Sequence, residues 1–488
     1  DLHSFPTRRS SDLDLYHGGN VYGGGLGEKI GVDGGTSNIE AKVNGVVFVN
    51  IGTHSRSGRD LNPEEDLNVG RATIKGNVYG CNNTNGSPQD SVTVHIYRTH
   101  RGEKDEVTYH ENDATFAIPN VFGGGNRADF KPAISGRKLK VWVHGCYNTI
   151  ERVFGGSNAA AAGNSGTAVV VNTLIDGGRF DHVFGGGNGE VSAADIFGDV
   201  DLEIHGGYVE EFYVGSNQQG SISGVSNVLV DQSSGCEEID ITEFFCGGKY
   251  ADFYGNINVT IKCSDGLNVN DLYGGCKEAK VRKYPPANTP GLSPELVALL
   301  TAHPELVGTG GNIHLVVKGG TYDHIYGGSK GKANNPNTTE DESISADIEG
   351  NVLLEVFGGT VMDAIFGGCN ILGDIAGKVI VNVEDGDNEG CALDVSIADV
   401  YGGGNKADYN TTEHAEHDYP QVNIRNATVK NVFGGGLEAK VTGNPKVKIK
   451  KGSKVLGNVY GGGNMGEVVG SPKVTIDGKD NSESPHTY

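Results

Sequence analysis

Two adjacent acid–base pairs, Asp181-His182 and Asp323-His324, are the residues of this sequence that most directly suggest catalysis. An imidazole beside a carboxylate is a common general base. Both pairs lie just before an apolar–aromatic pair in predicted β-strands. Because neighbouring side chains of a strand point to opposite faces, we expect that neither pair forms a hydrogen-bonded dyad directly. The sequence therefore assigns no catalytic residue.

Cysteines are the other candidates for chemistry, and the sequence has eight, at positions 81, 146, 236, 246, 263, 276, 369 and 391. No Cys-x-x-Cys or Cys/His spacing typical of a zinc site occurs, so we assign no metal-binding or cofactor-binding residue. Cys236, Cys246 and Cys263 are near enough in sequence for one disulfide, which remains open. Four cysteines replace small residues in glycine clusters and are expected to be buried free thiols: Cys81, Cys246, Cys276 and Cys369.

A repeated phrase positions all of these residues. An aliphatic residue, an aromatic residue and a glycine cluster recur thirteen times, at separations of 27 to 57 residues. We call the aromatic of each copy the ladder aromatic. The full copies centre on Tyr22, Phe122, Phe184, Tyr401, Phe433 and Tyr460. The degenerate copies centre on Tyr79, Phe154, Tyr213, Phe245, Tyr273, Tyr326 and Phe366.

The shortest repeat, from Phe433 to Tyr460, contains three short stretches of alternating apolar and polar residues separated by Gly/Asn corners. Three short strands cannot enclose a core alone, but stacked copies can. We therefore predict an all-β parallel β-solenoid (β-helix) of about 13 coils, with the aromatics stacked ~4.8 Å apart. The glycines are expected to supply positive φ at the corners. A β-propeller is the alternative, although its blades need four strands.

Polar residues recur at two positions of the repeat. Asn or Asp stands two residues before the ladder aromatic in seven copies, and Asn follows the glycines in seven. Stacked amides can hydrogen-bond from coil to coil, so we expect a structural ladder. Calcium binding is the weaker alternative, because Asp occurs only in the Ala-Asp pairs of Asp129, Asp252 and Asp408.

Several segments depart from the repeat. Residues 1–13 resemble a translated sequencing adapter; we expect them to be an unstructured artefact, with the natural N-terminus missing and the end at Tyr488 also artificial. Residues 14–488 are predicted to form one continuous solenoid. The insertion 282–311 carries a helix near 294–303, capped by Ser293 and started by Pro294. Loop excursions at 51–71, 98–114, 331–343, 385–393 and 410–418 are either tolerated variation or a recognition rim.

The charge balance restricts the partners. With 39 basic and 62 acidic residues the net charge is −23, which disfavours nucleic acid as a partner. No run of 18 apolar residues occurs, so no transmembrane helix is predicted. Five lysines make the last complete coil basic, either as a solvated strand face or as a site for an acidic glycan: Lys446, Lys448, Lys450, Lys451 and Lys454.

The repeated Val-Tyr/Phe-Gly-Gly-Gly-Asn phrase resembles the Gly-rich repeat regions of large surface or secreted proteins of anaerobic gut bacteria, over nearly all of residues 14–476. The resemblance implies a β-helical fold, an extracellular or cell-surface location, and an adhesin-like or stalk role without assigned catalytic residues. We therefore expect a non-enzymatic repeat module whose loops on one side contact glycan or a host surface protein. A β-helix polysaccharide lyase or hydrolase is the alternative, and self-assembly through solenoid ends is a third idea. The oligomeric state is not assigned.

Overall fold

The structure is a computed structural model, and it describes residues 19–32, 34–52, 72–99, 116–146, 148–231, 238–262, 266–338, 340–385, 396–410 and 418–477. Residues 1–13 and most of the excursions at 51–71, 98–114, 385–393 and 410–418 lie outside these ranges. The chain divides into two compact units, which are described separately. Unit 1 comprises Asp1–Phe212, Ser216–Val225 and Asp231–Asp240, and unit 2 comprises Tyr213–Gly215, Ser226–Val230 and Ile241–Tyr488.

Unit 1 consists of short strands separated by turns. In chain order they are β1 (Val21–Tyr22), β2 (Val47–Ile51), β3 (Val78–Tyr79), β4 (Val92–Ile96), β5 (Ile118–Phe122), β6 (Arg137–Val143), β7 (Thr149–Phe154), β8 (Val169–Ile175), β9 (Arg179–Phe184), β10 (Gly198–Ile204) and β11 (Gly207–Tyr213), whose last residue belongs to unit 2. The odd-numbered strands follow one another in one sheet, β1-β3-β5-β7-β9-β11, and the even-numbered strands β2 to β10 in another.

Although Ile239 and Asp240, which begin the second of its strands, belong to unit 1, unit 2 contains the remaining strands and a helix. They are β12 (Ser226–Val230), β13 (Ile239–Phe245), β14 (Phe253–Tyr254), β15 (Ile257–Ile261), β16 (Leu267–Tyr273), β17 (Val281–Arg282), α1 (Pro294–Ala302), β18 (Ile313–Val317), β19 (Thr321–Tyr326), β20 (Val352–Val356), β21 (Thr360–Phe366), β22 (Val379–Glu384), β23 (Ser396–Tyr401), β24 (Tyr409–Asn410), β25 (Gln421–Arg425), β26 (Thr428–Phe433), β27 (Val441–Thr442), β28 (Lys446–Lys450), β29 (Lys454–Val455), β30 (Val459–Tyr460), β31 (Val468–Val469) and β32 (Lys473–Asp477).

The strands of unit 2 form two long sheets and two short ones. One long sheet runs β13-β16-β19-β21-β23-β26-β29, and the other β15-β18-β20-β22-β25-β28-β32. The short ones are β14-β17 and β24-β27-β31. The strands of these sheets pair in parallel with the equivalent strands of successive repeats, as in the register from Ile313 opposite Val352 to Val317 opposite Val356. The predicted parallel β-solenoid is confirmed, and the propeller is excluded because its blades consist of antiparallel strands.

The ladder aromatics stack face to face inside each unit. In unit 1 the centroids from Tyr22 through Tyr79, Phe122 and Phe154 to Phe184 are 4.7–4.9 Å apart, and the ring planes differ by at most 7°. In unit 2 the seven steps from Tyr213 to Tyr460 measure 4.6–5.0 Å. This spacing equals the separation of neighbouring strands, so the ladder follows from the register.

Glycine occupies the positions of the glycine clusters for a different reason from the one expected. A Cβ on Gly123 would lie 2.3 Å from the carbonyl oxygen of Gly155, and one on Gly124 would lie 2.1 Å from Ser157 Oγ. Neither glycine has a positive φ; positive values occur at another corner, as at Gly207 (φ 100°). The prediction of positive φ is therefore wrong for these clusters. Glycine is needed there because successive coils approach too closely for a side chain.

The predicted inserted helix is confirmed as α1. Ser293 is its N-cap, and its hydroxyl oxygen accepts a 3.0 Å hydrogen bond from the backbone N–H of Leu296. Pro294 occupies the first turn, where a missing N–H costs nothing. The apolar stripe of Leu296, Leu299 and Leu300 is buried, and a 3-10 turn over Pro304–Leu306 follows the helix.

Candidate functional site

The predicted amide ladder is confirmed at the position four residues after the ladder aromatic. In unit 1 each amide nitrogen donates to the oxygen of the preceding coil, over 2.7–2.9 Å, from Asn217 through Asn188, Asn158 and Asn126 to Asn83. In unit 2, Asn405 donates to Asn370 over 3.0 Å in the same way. These side chains satisfy one another, and their role is structural.

The Ala-Asp pairs also have a structural role. The Asp129 carboxylate accepts a 3.0 Å hydrogen bond from the backbone N–H of Ala161, at the next coil. In the same way, Asp252 accepts a 2.9 Å hydrogen bond from the backbone N–H of Lys280, and Asp408 accepts one of 2.8 Å from the backbone N–H of Lys440. Within the described ranges, no group of three or more His, Cys, Asp or Glu residues could hold a metal ion.

The first acid–base pair is in contact but lacks the hydrogen bond of a dyad. His182 Nδ1 lies 2.8 Å from the Asp181 carboxylate, but this nitrogen makes no hydrogen bond to it. His182 Nε2 lies 2.9 Å from Glu211 on the next coil. No hydrogen-bonded dyad forms, as predicted, although the alternation behind that prediction breaks here: Asp181 and His182 are both partly exposed, and Val183 and Phe184 are both buried.

The second pair agrees with the expectation. His324 is oriented by Asp271 of the preceding coil, whose Oδ1 lies 2.9 Å from its Nδ1. The other ring nitrogen lies 3.7 Å from Asp363 of the following coil. The hydrogen bond that the His324 ring donates to Asp271 raises the pKa of His324 above its ordinary value, against the opposing effect of burial. The register places His324 directly beside Asp271 of the preceding coil, and towards the following coil it shifts between Tyr322 and His324.

Three consecutive coils of unit 2 carry ionisable residues at both polar positions of the repeat. Around Phe245, Tyr273 and Tyr326, the residue two positions before the aromatic is glutamate, aspartate or histidine, and the residue four positions after it is lysine instead of asparagine. We call this set the charged corner: Glu243, Asp271, His324, Lys249, Lys277 and Lys330.

Glu243 is the most enclosed carboxylate of the charged corner, with a side chain only 14% exposed. Lys277 Nζ lies 3.2 Å from its Oε2, and Lys330 of the following coil pairs with its Oε1. The Lys277 ammonium group also lies 5.9 Å from the centroid of the Phe245 ring, and the Lys330 ammonium group lies 6.0 Å from the centroid of the Tyr273 ring. Glu243 is thus held between two cations that the aromatic rings help to position.

The phenol of Tyr273 belongs to the same network. It donates a 3.3 Å hydrogen bond to Asp271 and accepts one of 2.8 Å from the Asn370 amide. Burial, followed by the charge of Asp271, raises the pKa of Tyr273 far above its usual range, so the phenol stays protonated. A continuous hydrogen-bonded path therefore joins Asn370, Tyr273, Asp271 and His324.

A second surface lies on unit 1, where outward residues of β4, β6, β8 and β10 and those directly after these strands come together. We call it the Trp142 face: His95, Tyr97, Trp142, His144, Asp176 and His205. All six side chains are half-buried. Trp142 is the one tryptophan of the sequence.

Asp176 is the centre of the Trp142 face. Trp142 Nε1 donates a 2.8 Å hydrogen bond to Asp176 Oδ2, and His205 Nδ1 lies 3.0 Å from Oδ1. His144 Nδ1 is 3.8 Å from Oδ2, and the His144 ring stacks on Trp142 with centroids 4.2 Å apart. Tyr97 stacks on the same imidazole at 4.5 Å. Aromatic rings and hydrogen-bonding groups therefore share one strand surface.

The four cysteines inside the glycine clusters are buried free thiols, as predicted. Burial raises the pKa of Cys276 and Cys369 to about 12, so these thiols are unreactive near neutral pH. Cys146 is disulfide-bonded. The pairing considered for Cys246 does not occur, since its thiol is free; Cys236 and Cys263 lie outside the described residues.

The sequence analysis missed both the charged corner and the Trp142 face, although the sequence contains a signal for each. The three lysines of the charged corner stand four residues after their ladder aromatics, where other copies carry asparagine. His95 and Trp142 occupy outward positions of their strands, which alternation alone identifies. That these two side chains lie side by side could not be predicted without the strand register, which pairs His95 with Trp142.

The comparisons with known proteins give no function for this chain, so a function can be argued only from the charged corner and the Trp142 face. No protein-family model, no curated protein and no solved structure matches this chain. In the part of the chain that the structure describes, no helix has both the length and the hydropathy needed to cross a membrane.

Proposed function

We propose that this chain is a non-enzymatic extracellular repeat module, adhesin-like or a stalk, in which a rigid solenoid presents a glycan-binding face. The Trp142 face carries the proposal. Half-buried aromatic rings beside carboxylate and imidazole groups are suited to the apolar C–H faces and the hydroxyl groups of a sugar. The sequence favoured loops as the contact surface, but this proposal uses a strand face, where the geometry is defined.

The rest of the structure supports a scaffold role. The amide ladder from Asn83 to Asn217 satisfies its own hydrogen bonds, so it offers little to a ligand. The disulfide at Cys146 is consistent with an oxidising, extracellular environment. The resemblance of the repeat to bacterial surface proteins suggests the same location.

Because the sequence has a single tryptophan, its fluorescence reports on this surface directly. We expect titration with at least one of xylan, mannan, mixed-linkage β-glucan or polygalacturonate to change the fluorescence, without release of reducing sugar. W142A should lose the binding, as followed by affinity electrophoresis. L174A is the matched control, because Leu174 pairs with Trp142 in the register and is also half-buried. Binding unchanged in W142A, or capture of a host surface protein alone, would contradict the glycan assignment.

The charged corner favours a second candidate function, a polysaccharide hydrolase or lyase. It brings carboxylates and lysines of three successive coils together, as a polysaccharide-active site would require. Asp271 orients His324, which is 32% exposed and could act on a proton of a bound sugar. Release of reducing ends, or of an unsaturated product that absorbs ultraviolet light, would support this candidate. That activity should be lost in both E243Q and H324A, whereas W142A should leave it measurable.

A further inference from the structure

The outer face of the last coils of unit 2 is strongly basic within an acidic chain. We call it the basic face, and it comprises Arg425 of β25, Lys446, Lys448 and Lys450 of β28, and Lys473 of β32. The alternating burial of β28 turns its three lysines outward and Val447 and Ile449 inward. Alternate residues of a strand are ~6.6 Å apart and neighbouring coils ~4.8 Å apart, so these cations form a compact array.

The basic face is only partly neutralised. Lys446 pairs with Asp418, and Arg425 lies 3.3 Å from Glu384. Among the described residues Lys448 has no carboxylate partner, and Lys473 makes no ion-pair contact, although its charge acts on Asp418. The register places Lys473 directly beside Lys446 on the next coil, so like charges are adjacent.

Lys448 lies at the centre of this repulsion. Burial, followed by the charges of Lys450, Lys446 and Lys473, lowers its pKa below the ordinary value. Its register partner Asn423 is 5% exposed, and the Asn423 amide oxygen accepts no hydrogen bond from the described residues. An anion placed over Lys448 would relieve the repulsion that folding alone leaves in place.

We propose that the basic face binds an acidic polysaccharide, through carboxylate or sulfate groups repeated along the chain of sugars. Charge complementarity is the argument for the ligand. A single-stranded nucleic acid is disfavoured, because such ligands need aromatic rings for base stacking. The outward residues of these three strands include none: Gln421, Asn423, Arg425, Lys446, Lys448, Lys450, Lys473, Thr475 and Asp477.

The test compares sodium polygalacturonate, heparin, neutral dextran and a single-stranded DNA oligonucleotide as ligands of the full chain. We expect binding to polygalacturonate, heparin or both, and none to dextran. The double variant K448Q/K473Q should lower the affinity for the acidic polymer about tenfold. Raising NaCl from about 50 mM to about 500 mM should abolish the binding, since added salt screens surface charges.

The control is K262Q/K430Q, which removes the same charge from exposed lysines of unit 2 outside the basic face. K448Q should also raise the thermal midpoint without ligand, because it removes like-charge repulsion. Equal affinity of K448Q/K473Q and K262Q/K430Q would overturn the proposal, as would tighter binding to the DNA than to either polysaccharide. Preference for polygalacturonate identifies carboxylate as the recognised group, and preference for heparin identifies sulfate.

The inference rests on the proposed function only in that the ligand is a glycan. The two proposals fail separately when W142A is measured beside K448Q/K473Q. If acidic polymers bind and only W142A weakens them, the basic face is excluded and the Trp142 face stands. If only K448Q/K473Q weakens the binding of acidic polymers, the basic face is the site for them, and the Trp142 face stands only if W142A weakens the binding of a neutral glycan. If no polysaccharide binds, both proposals are wrong.

Discussion

Histidines two residues before the ladder aromatic lie between carboxylates in both units. His182 contacts Asp181 and Glu211, and His324 contacts Asp271 and Asp363. Five other copies carry asparagine at this position, and the amides bond along the stack, as Asn120 does to Asn77 over 2.7 Å. In the coil of His324 an ionisable ring stands where those copies have a neutral amide, and the stability of this coil becomes dependent on pH.

The pKa of His324 gives the sign of that dependence. Because the native pKa is raised, the charged ring stabilises the fold fully below the unfolded pKa, and this contribution is lost as the pH rises through the native pKa. We expect H324Q to lower the free energy of unfolding more at about pH 5 than at about pH 9, values on either side of the titration. Urea unfolding of the wild type and H324Q at both pH values measures this difference in unfolding free energy. An equal loss at both would contradict the assignment of the charge.

The amide ladder makes a prediction for a single buried side chain. Asn188 is 5% exposed; it donates to Asn158 and accepts from Asn217, each over 2.7 Å. N188A leaves two polar partners unsatisfied, and we expect it to cost about 1–3 kcal/mol of unfolding free energy. The control is N50A, at an exposed position of β2, which should change stability by less than about 0.5 kcal/mol. Similar losses for both variants would show that the ladder contributes nothing specific.

At the scale of elements, alternation was sufficient to predict the strands and capping was sufficient to predict the helix. The stretch Lys446–Lys450 alternates lysine with valine and isoleucine, and it forms β28 as expected. Alternation could not predict where it would fail, as at Asp181-His182, because the break depends on how the chain turns into the glycine corner. Nor could it predict why Gly123 is required, since the atom it avoids belongs to a residue of the next coil.

The N-cap of α1 can be tested locally. Ser293 Oγ satisfies the Leu296 N–H, and S293A removes that bond at a typical cost of about 1 kcal/mol. We expect the amides of Leu296–Leu300 to exchange with deuterium about fivefold faster in S293A. S293T retains a hydroxyl and should exchange like the wild type. Exchange unaltered in S293A would mean that packing of the leucines alone determines the opening of the helix.

The glycine corners offer a matched pair of substitutions. A Cβ on Gly435 would lie 2.7 Å from the backbone nitrogen of Gly463 on the next coil. At the equivalent Gly462 the nearest atom is 4.0 Å away, and neither glycine has a positive φ. We expect G435A to lower the unfolding free energy by about 1–3 kcal/mol and G462A to change it by less than about 0.5 kcal/mol. Equal effects, measured by chemical denaturation, would point to backbone flexibility as the reason for glycine.

At the scale of the whole molecule, the candidate sites are departures from regularity. The repeat itself was readable from the sequence, and so was the position that each copy reserves for asparagine. Lys249, Lys277 and Lys330 are informative because three successive copies break that rule. Their ion pairs could not be predicted, since Glu243 meets Lys330 only after an 87-residue separation is closed by the stacking of coils.

Stacking also determines how stability varies along unit 2. Contacts run between successive coils, so each coil depends on its neighbours, as in other repeat proteins. Val447 and Ile449 of β28 are 0% and 6% exposed, whereas their register partners Val474 and Ile476 of β32 are 40% and 71% exposed. We expect hydrogen exchange to be fastest in β32, which is paired on one side, intermediate in β28, which neighbours it, and slowest in β20 and β22, which lie further from β32 in the sheet. Mass-spectrometric exchange of peptides from these strands measures the gradient. Uniform protection from β20 to β32 would show that unit 2 opens as one cooperative block and that the coils are not independent contributors.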